Sequence, residues 1–279
     1  MEGFYSIGEA IKKYIDYCQT KAQTKWFKLL VKAVMAGAFI ALGAAISGVA
    51  SHAVTNVGLA KLTAAVVFPV GLMMVVLFGA ELFTSDCLFA MNVFDKKQKI
   101  SAFLRLLIIV YIGNFIGSIL IALLISASGQ LDYSSGMLGA YTIKVALGKV
   151  NISFSQGVAS GILCNILVCA ASIMMTCAKD IAGKLLACFF VIMLFVTGGF
   201  EHCVANMYYI TAGLIADGNP EYANLAMNAY GFSADYMSTL NVANFFVKNL
   251  LPVTIGNILG GSLFIGLPMF YLNKSKKEN

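Results

Sequence analysis

The chain has 279 residues, of which 59% are hydrophobic and 11% charged, with a formal net charge of +6. No soluble core of that length absorbs so much apolar side chain, and a mean hydropathy of +0.84 excludes an ordinary soluble enzyme or binding module, so lipid is the expected solvent. Several apolar runs reach the roughly 20 residues that cross a bilayer as helix, and the alternation of an outer-membrane strand barrel is missing, so the spans are expected to be helical.

Residues 1–28 hold Lys12, Lys13, Lys21, Lys25 and Lys28 without an apolar core or a small-residue cleavage site, which excludes a signal peptide. Phe4, Ile7, Ile11, Tyr14, Ile15 and Cys18 recur at helical spacing, with Ser6 as N-cap and Glu9 three positions on. That pattern predicts an amphipathic helix lying along the membrane surface as an anchor, and its place before the first span also makes it a candidate lid. A channel domain follows over 29–272, then a basic tail over 273–279. Within the domain six spans are predicted near 29–52, 65–93, 102–126, 154–177, 185–216 and 241–272. Fifteen of the basic residues fall on the face shared with the N-terminus and four (Lys61, Lys144, Lys149, Lys248) on the other. The positive-inside rule then predicts a multi-pass protein of the inner (cytoplasmic) membrane with both termini in the cytoplasm.

Two spans are interrupted. Gly79-Ala80-Glu81-Leu82-Phe83-Thr84-Ser85-Asp86 breaks span two, and Thr197-Gly198-Gly199-Phe200-Glu201-His202-Cys203-Val204-Ala205-Asn206 breaks span five. Ile112-Gly113-Asn114-Phe115-Ile116-Gly117-Ser118 in span three resembles Ile255-Gly256-Asn257-Ile258-Leu259-Gly260-Gly261-Ser262 in span six. Two halves of three spans each are necessarily inserted in opposite senses, the inverted repeat of many transporters, with the site expected where the broken helices meet. The glycines are expected to let helices approach closely.

Enzyme chemistry has little to work with. The seven cysteines contain no Cys-x-x-Cys pair, and the two histidines, His52 and His202, lie far apart without a ligand cluster. No catalytic triad, phosphate loop or dinucleotide fingerprint stands out, so no metal, cofactor or nucleic-acid partner is expected. A carboxylate and an imidazole at membrane depth are costly unless paired or functional. Glu201 is expected to be a structural partner for backbone N–H groups of the broken loop. His202 is expected to donate a hydrogen bond or a proton to a small solute.

The stretch Gly199-Phe200-Glu201-His202-Cys203-Val204-Ala205-Asn206-Met207 resembles the signature of the formate/nitrite transporter family. Further motifs fall in the same order over nearly the whole chain: Phe68-Pro69-Val70-Gly71-Leu72, Gly79 through Ser85, Lys149 ahead of Phe154, Gly161 through Asn165, and Asn249 through Asn257. Within that family the chain most resembles the clostridial hydrosulfide-channel branch. The resemblance implies an all-α membrane protein with an aquaporin-like protomer in a homopentamer, each protomer holding a pore for small monovalent anions such as hydrosulfide, formate or nitrite. It implies that Leu72 and Leu82 with Phe68 form one hydrophobic constriction and that Phe195 helps form another, with His202 between them. It places Thr84 against His202 or the permeant, Asn165 and Asn257 along the path, and Lys149 in the external vestibule as an anion attractor.

Apolar constrictions suit that task, because large or heavily hydrated ions meet a steep desolvation cost there and a small weak-acid anion meets less. Two other readings remain open at this level. A proton-coupled formate or nitrite symporter would use the Glu201–His202 pair, and an aquaporin proper would need paired Asn-Pro-Ala loops where this chain has only Asn219-Pro220-Glu221. A sensor or enzyme lacks any soluble domain or catalytic set.

Overall fold

The computed structural model describes residues 3–273. Lys274, Lys276 and Lys277 of the predicted basic tail lie outside the described residues. Among the described residues six helices are long and apolar enough to cross a membrane: Trp26–Ser51, Val57–Leu77, Ile100–Ala127, Phe154–Cys177, Ile181–Gly198 and Val242–Asn273. The second and fifth are first halves only. Span two resumes after its break over residues 83–94, and span five over Cys203–Asp217. The protein is therefore an all-α membrane protein with broken spans two and five.

Both breaks are made the same way. The first half-helix of each broken span stops at a glycine with a left-handed backbone, Gly79 at φ +61° and Gly199 at φ +67°, a conformation that costs glycine little. Two residues on, each break has a glutamate, Glu81 or Glu201, and the chain re-enters a helix at Phe83 or Cys203. An asparagine from the third span of each half holds the extended peptide between. Asn114 accepts from Phe83 N–H at 2.9 Å and donates to the carbonyls of Glu81 at 3.0 Å and Ala33 at 2.7 Å. Asn257 accepts from Cys203 N–H at 2.9 Å and donates to the carbonyls of Glu201 at 3.0 Å and Gly161 at 2.8 Å. These side chains satisfy backbone groups that an unwound helix leaves open inside the membrane. The matching Ile-Gly-Asn sequences of spans three and six thus belong to two equivalent clamps.

Small residues set the helix spacing. A Cβ on Gly117 would sit 2.1 Å from the Val34 carbonyl oxygen, and one on Gly256 would sit 2.3 Å from that of Val158. Spans one and three, and likewise four and six, therefore pack backbone to backbone. Span six is not uniform: it widens to π-helical turns at Phe245–Leu250, just before Pro252, and at Gly260–Gly266, where proline and paired glycines weaken the ordinary helix ladder.

The N-terminal helix forms as predicted, at Ile7–Ala22, with a Ser6/Glu9 capping box. Several boundaries differ. Span two starts at Val57 rather than near 65, because Asn56 caps it by accepting from Leu59 N–H at 3.0 Å. Span five starts at Ile181, where the Asp180 side chain accepts from Gly183 N–H at 2.8 Å. Two helices that the apolar pattern did not announce, Met137–Val150 and Pro220–Tyr230, pack together on the face opposite the N-terminus. Their sequences carry too many polar residues to read as spans. Asp132 ties the pair by accepting from the Tyr222 hydroxyl.

The N-terminal helix lies on the face where spans four and six end. Tyr5 N–H donates to the Cys177 carbonyl at 2.8 Å, and Gly8 lies beside Asn273. That side is the near face, and the opposite side the far face.

Candidate functional site

The N-terminal ends of the two re-entering half-helices converge in the middle of the molecule. Thr84 lies in the first turn of one, and His202 is the N-cap of the other. His202 Nδ1 accepts from Ala205 N–H at 3.1 Å, and its Nε2 lies 3.0 Å from Thr84 Oγ1. With Nδ1 used as the helix cap, the neutral ring carries its proton on Nε2 and donates it to Thr84 Oγ1. The Thr84 hydroxyl proton is then free for another acceptor. Helix N-termini add their partial positive charge at this point, which favours an anion over a cation.

Cavities open on either side of this pair. The far cavity, about 760 Å³, is lined by Phe68, Phe195, His202, Lys61, Lys144 and Lys149, among others. The near cavity, about 460 Å³, is lined by Leu82, Val75, Tyr14, Tyr17 and Lys21, among others. The stretch between is closed by buried side chains, with Leu72, Leu82, Phe68 and Phe195 each at most 4% exposed and Thr84 fully buried. The Phe68 and Phe195 rings meet edge to face at 5.7 Å, and Phe195 lies 5.8 Å from the His202 ring.

Some predicted roles need correction. Asn257 is fully buried, and its amide is committed to the clamp described above. Asn165, also fully buried, donates to the carbonyls of Thr84 at 3.1 Å and Asn257 at 2.6 Å, and so fixes the backbone under the site. An asparagine amide is well suited to bridging backbone groups, which explains why a polar residue at membrane depth misleads a sequence reading. Glu201 is a structural partner as expected in kind, but of side chains rather than backbone N–H groups. Its carboxylate accepts from Lys149 Nζ at 2.9 Å, Asn206 Nδ2 at 2.6 Å and Asn249 Nδ2 at 3.3 Å. Lys149 is therefore not a free charge. It lines the far cavity with its ammonium committed to Glu201.

Lys61 was missed as a site residue. No carboxylate lies within ion-pair distance of it among the described residues, and a Cβ on Gly199 would stand 3.0 Å from its Nζ. Its ammonium therefore sits over the break of span five. The basic residues of the far face had marked it, but only as part of a count. On the near face the counterpart of the Lys149–Glu201 pair is larger. Lys21 of the N-terminal helix reaches Glu81 at 2.5 Å and Asp86 at 2.6 Å, and Lys32 reaches Glu81 at 3.3 Å.

A family profile described as Formate/nitrite transporter matches residues 8–271. The chain belongs to the formate/nitrite transporter family. This member of the formate/nitrite transporter family is 37% identical over 268 residues to the formate channel FocA of Haemophilus influenzae, a match that covers 93% of each protein. It superposes with a TM-score of 0.79 on the solved structure of a pentameric formate channel with formate bound, at 32% identity, covering 88% of this chain and 97% of that one. A solved ion channel of the FNT family gives a TM-score of 0.77 at 26% identity, covering 95% of this chain and 98% of that one. As a formate/nitrite transporter it is a membrane transport protein and not an enzyme.

Proposed function

We propose that the chain conducts small monovalent anions, hydrosulfide foremost and formate and nitrite also, through one pore in each protomer of a homopentamer in the cytoplasmic membrane, with both termini inside. The observation that carries this reading is the Thr84–His202 pair, buried at the convergence of two helix N-termini between two vestibules of about 760 and 460 Å³. The names of the relatives point to formate, and one solved relative is pentameric with formate bound. Hydrosulfide fits the site chemistry because a single hydroxyl donor serves a one-centre, weakly hydrated anion more fully than a carboxylate with two oxygens. The apolar walls of Leu72, Leu82, Phe68 and Phe195 set the selectivity by desolvation. His202 supplies the midpoint hydrogen bond through Thr84.

Replacing His202 by Asn keeps a donor and removes the titratable ring. Flux of hydrosulfide and formate in proteoliposomes should then fall, because the shorter amide cannot keep the cap on Ala205 N–H and still reach Thr84 Oγ1 as the ring does. Unchanged flux removes His202 from the conduction path. Simultaneous proton-flux recording separates the channel from the second reading, a proton-coupled formate or nitrite symporter, which requires one proton to move with each anion.

A further inference from the structure

On the near face, the end of span two, the link that follows it and the start of span three line a cavity of about 750 Å³, with Lys96, Lys97, Lys99, Arg105, Gln98 and Ser101 among its walls. Of its four cations only Lys97 has a carboxylate partner, Asp95 at 2.8 Å. Arg105 Nη2 donates to the Thr24 carbonyl at 3.4 Å, which ties the start of span three to the turn between the N-terminal helix and span one. Lys96 and Lys99 meet no carboxylate among the described residues. The N-terminus of span three adds to the same demand, since its N-cap is Lys99, no side chain caps it, and its first turn contains no acid. Free helix N–H groups and uncompensated cations on one cavity all call for an anion.

Two further features describe that anion. Lys96 holds a left-handed backbone at φ +56°, a conformation that glycine or asparagine adopts more cheaply, so strain is retained where a cation stands at the loop tip. From the cavity an apolar stripe runs down span three at every fourth residue, Ile100, Leu104, Ile108 and Ile112, each at least half exposed. Trp26 and Phe27, at the near-face start of span one, are 60% and 63% exposed, at the level where aromatic side chains meet the lipid headgroups.

We propose that this cavity binds an anionic phospholipid, its phosphate held by Lys96, Lys99 and Arg105 and one acyl chain lying along Ile100, Leu104 and Ile108. Charge complementarity selects the phosphate, as in basic pockets between membrane helices. The stripe selects a lipid over free phosphate, because inorganic phosphate would use the cations and leave the apolar half of the site empty.

The test uses the purified full chain in detergent, with native mass spectrometry of bound phosphatidylglycerol against phosphatidylcholine of the same acyl chains. Wild type should retain the anionic lipid about ten-fold more strongly, and Lys96→Gln/Lys99→Gln/Arg105→Gln should abolish that preference. Lys248→Gln, one charge removed from the opposite face, should keep it. Leu104→Ser/Ile108→Ser should weaken retention, and millimolar inorganic phosphate should not displace the lipid. Lys96→Gly covers the case of a misfolded triple variant: it relaxes the backbone, so it should melt no lower than wild type in phosphatidylcholine nanodiscs while binding less phosphatidylglycerol. Equal retention by wild type and either the triple variant or Lys96→Gly overturns the proposal. So does displacement by inorganic phosphate, which marks a free-anion site, or protection of the stripe by a second copy of the chain.

Discussion

The two lysines of the far cavity differ in what their charges already do. Lys149 is bound to a buried glutamate, and removing one member of a buried pair costs about 3–5 kcal/mol because the other charge stays behind. Replacing Lys149 is therefore expected to damage folding as much as conduction. Lys61 lines the same cavity without a carboxylate partner, so it acts on the permeant at long range. Lys61→Gln should lower anion flux about two- to five-fold at low ionic strength and have little effect at 1 M salt, where the screening length is about 3 Å. Flux through wild-type and Lys61→Gln proteoliposomes across a salt series checks this, and equal flux at low salt removes Lys61 from the vestibule.

The N-terminal helix is more than a surface anchor at the level of the element. Its Tyr14 hydroxyl donates to the Ser85 carbonyl at 3.0 Å, and Lys21 pairs with two carboxylates of the break in span two. Burial opposes the charge of Lys21, but Asp86 and Glu81 outweigh it and hold the ammonium well above the usual lysine range. A group raised in this way contributes its full stability below the unfolded lysine value of about 10.4 and loses it only as pH rises through the folded value. The Lys21 side of this latch therefore stays closed across neutral pH. Cys18, three residues earlier, is 1% exposed, and burial pushes its thiol up to about 12. Lys21→Ala removes roughly 3 kcal/mol of pairing and should raise local opening of the helix about a hundred-fold. Residue-resolved alkylation at pH 8 should then label Cys18 much faster than in wild type, and an unchanged rate shows that the helix is held by its apolar face alone.

Across the whole molecule, the proposed function assigns selectivity to the closed stretch between the two cavities, where Leu82 faces one and Phe195 the other. Leu82→Ala together with Phe195→Ala opens both ends of that stretch and should raise acetate permeability relative to formate by at least about ten-fold, since each large-to-small change removes a few kcal/mol of steric and desolvation barrier. Permeability ratios among formate, nitrite, chloride and acetate in liposomes give the measurement. Unchanged ratios place the filter elsewhere. The same double variant also loses core packing, so its assembly must first match wild type by size-exclusion chromatography.

The breaks at Gly79 and Gly199, the helical spans and the repeated Ile-Gly-Asn were legible in the sequence because they rest on local chemistry: apolar length, left-handed glycine and periodicity. The Thr84–His202 convergence was legible only through motif resemblance, for nothing local brings residues 118 positions apart to 3.0 Å. The partners of the polar residues were not legible at all. Asn165 and Asn257 read as pore lining, and Asn114 only as part of a repeat, until the tertiary structure placed each against specific carbonyls; Lys149 read as an anion attractor until Glu201 stood beside it. The helices Met137–Val150 and Pro220–Tyr230 were missed for the same reason, since the first is held by packing against span five and the second by packing against the first, rather than by their own hydrophobicity. A membrane imposes the helices through composition. Which buried polar group satisfies which other is decided only when the spans pack, because that pairing depends on distance in space and not along the chain.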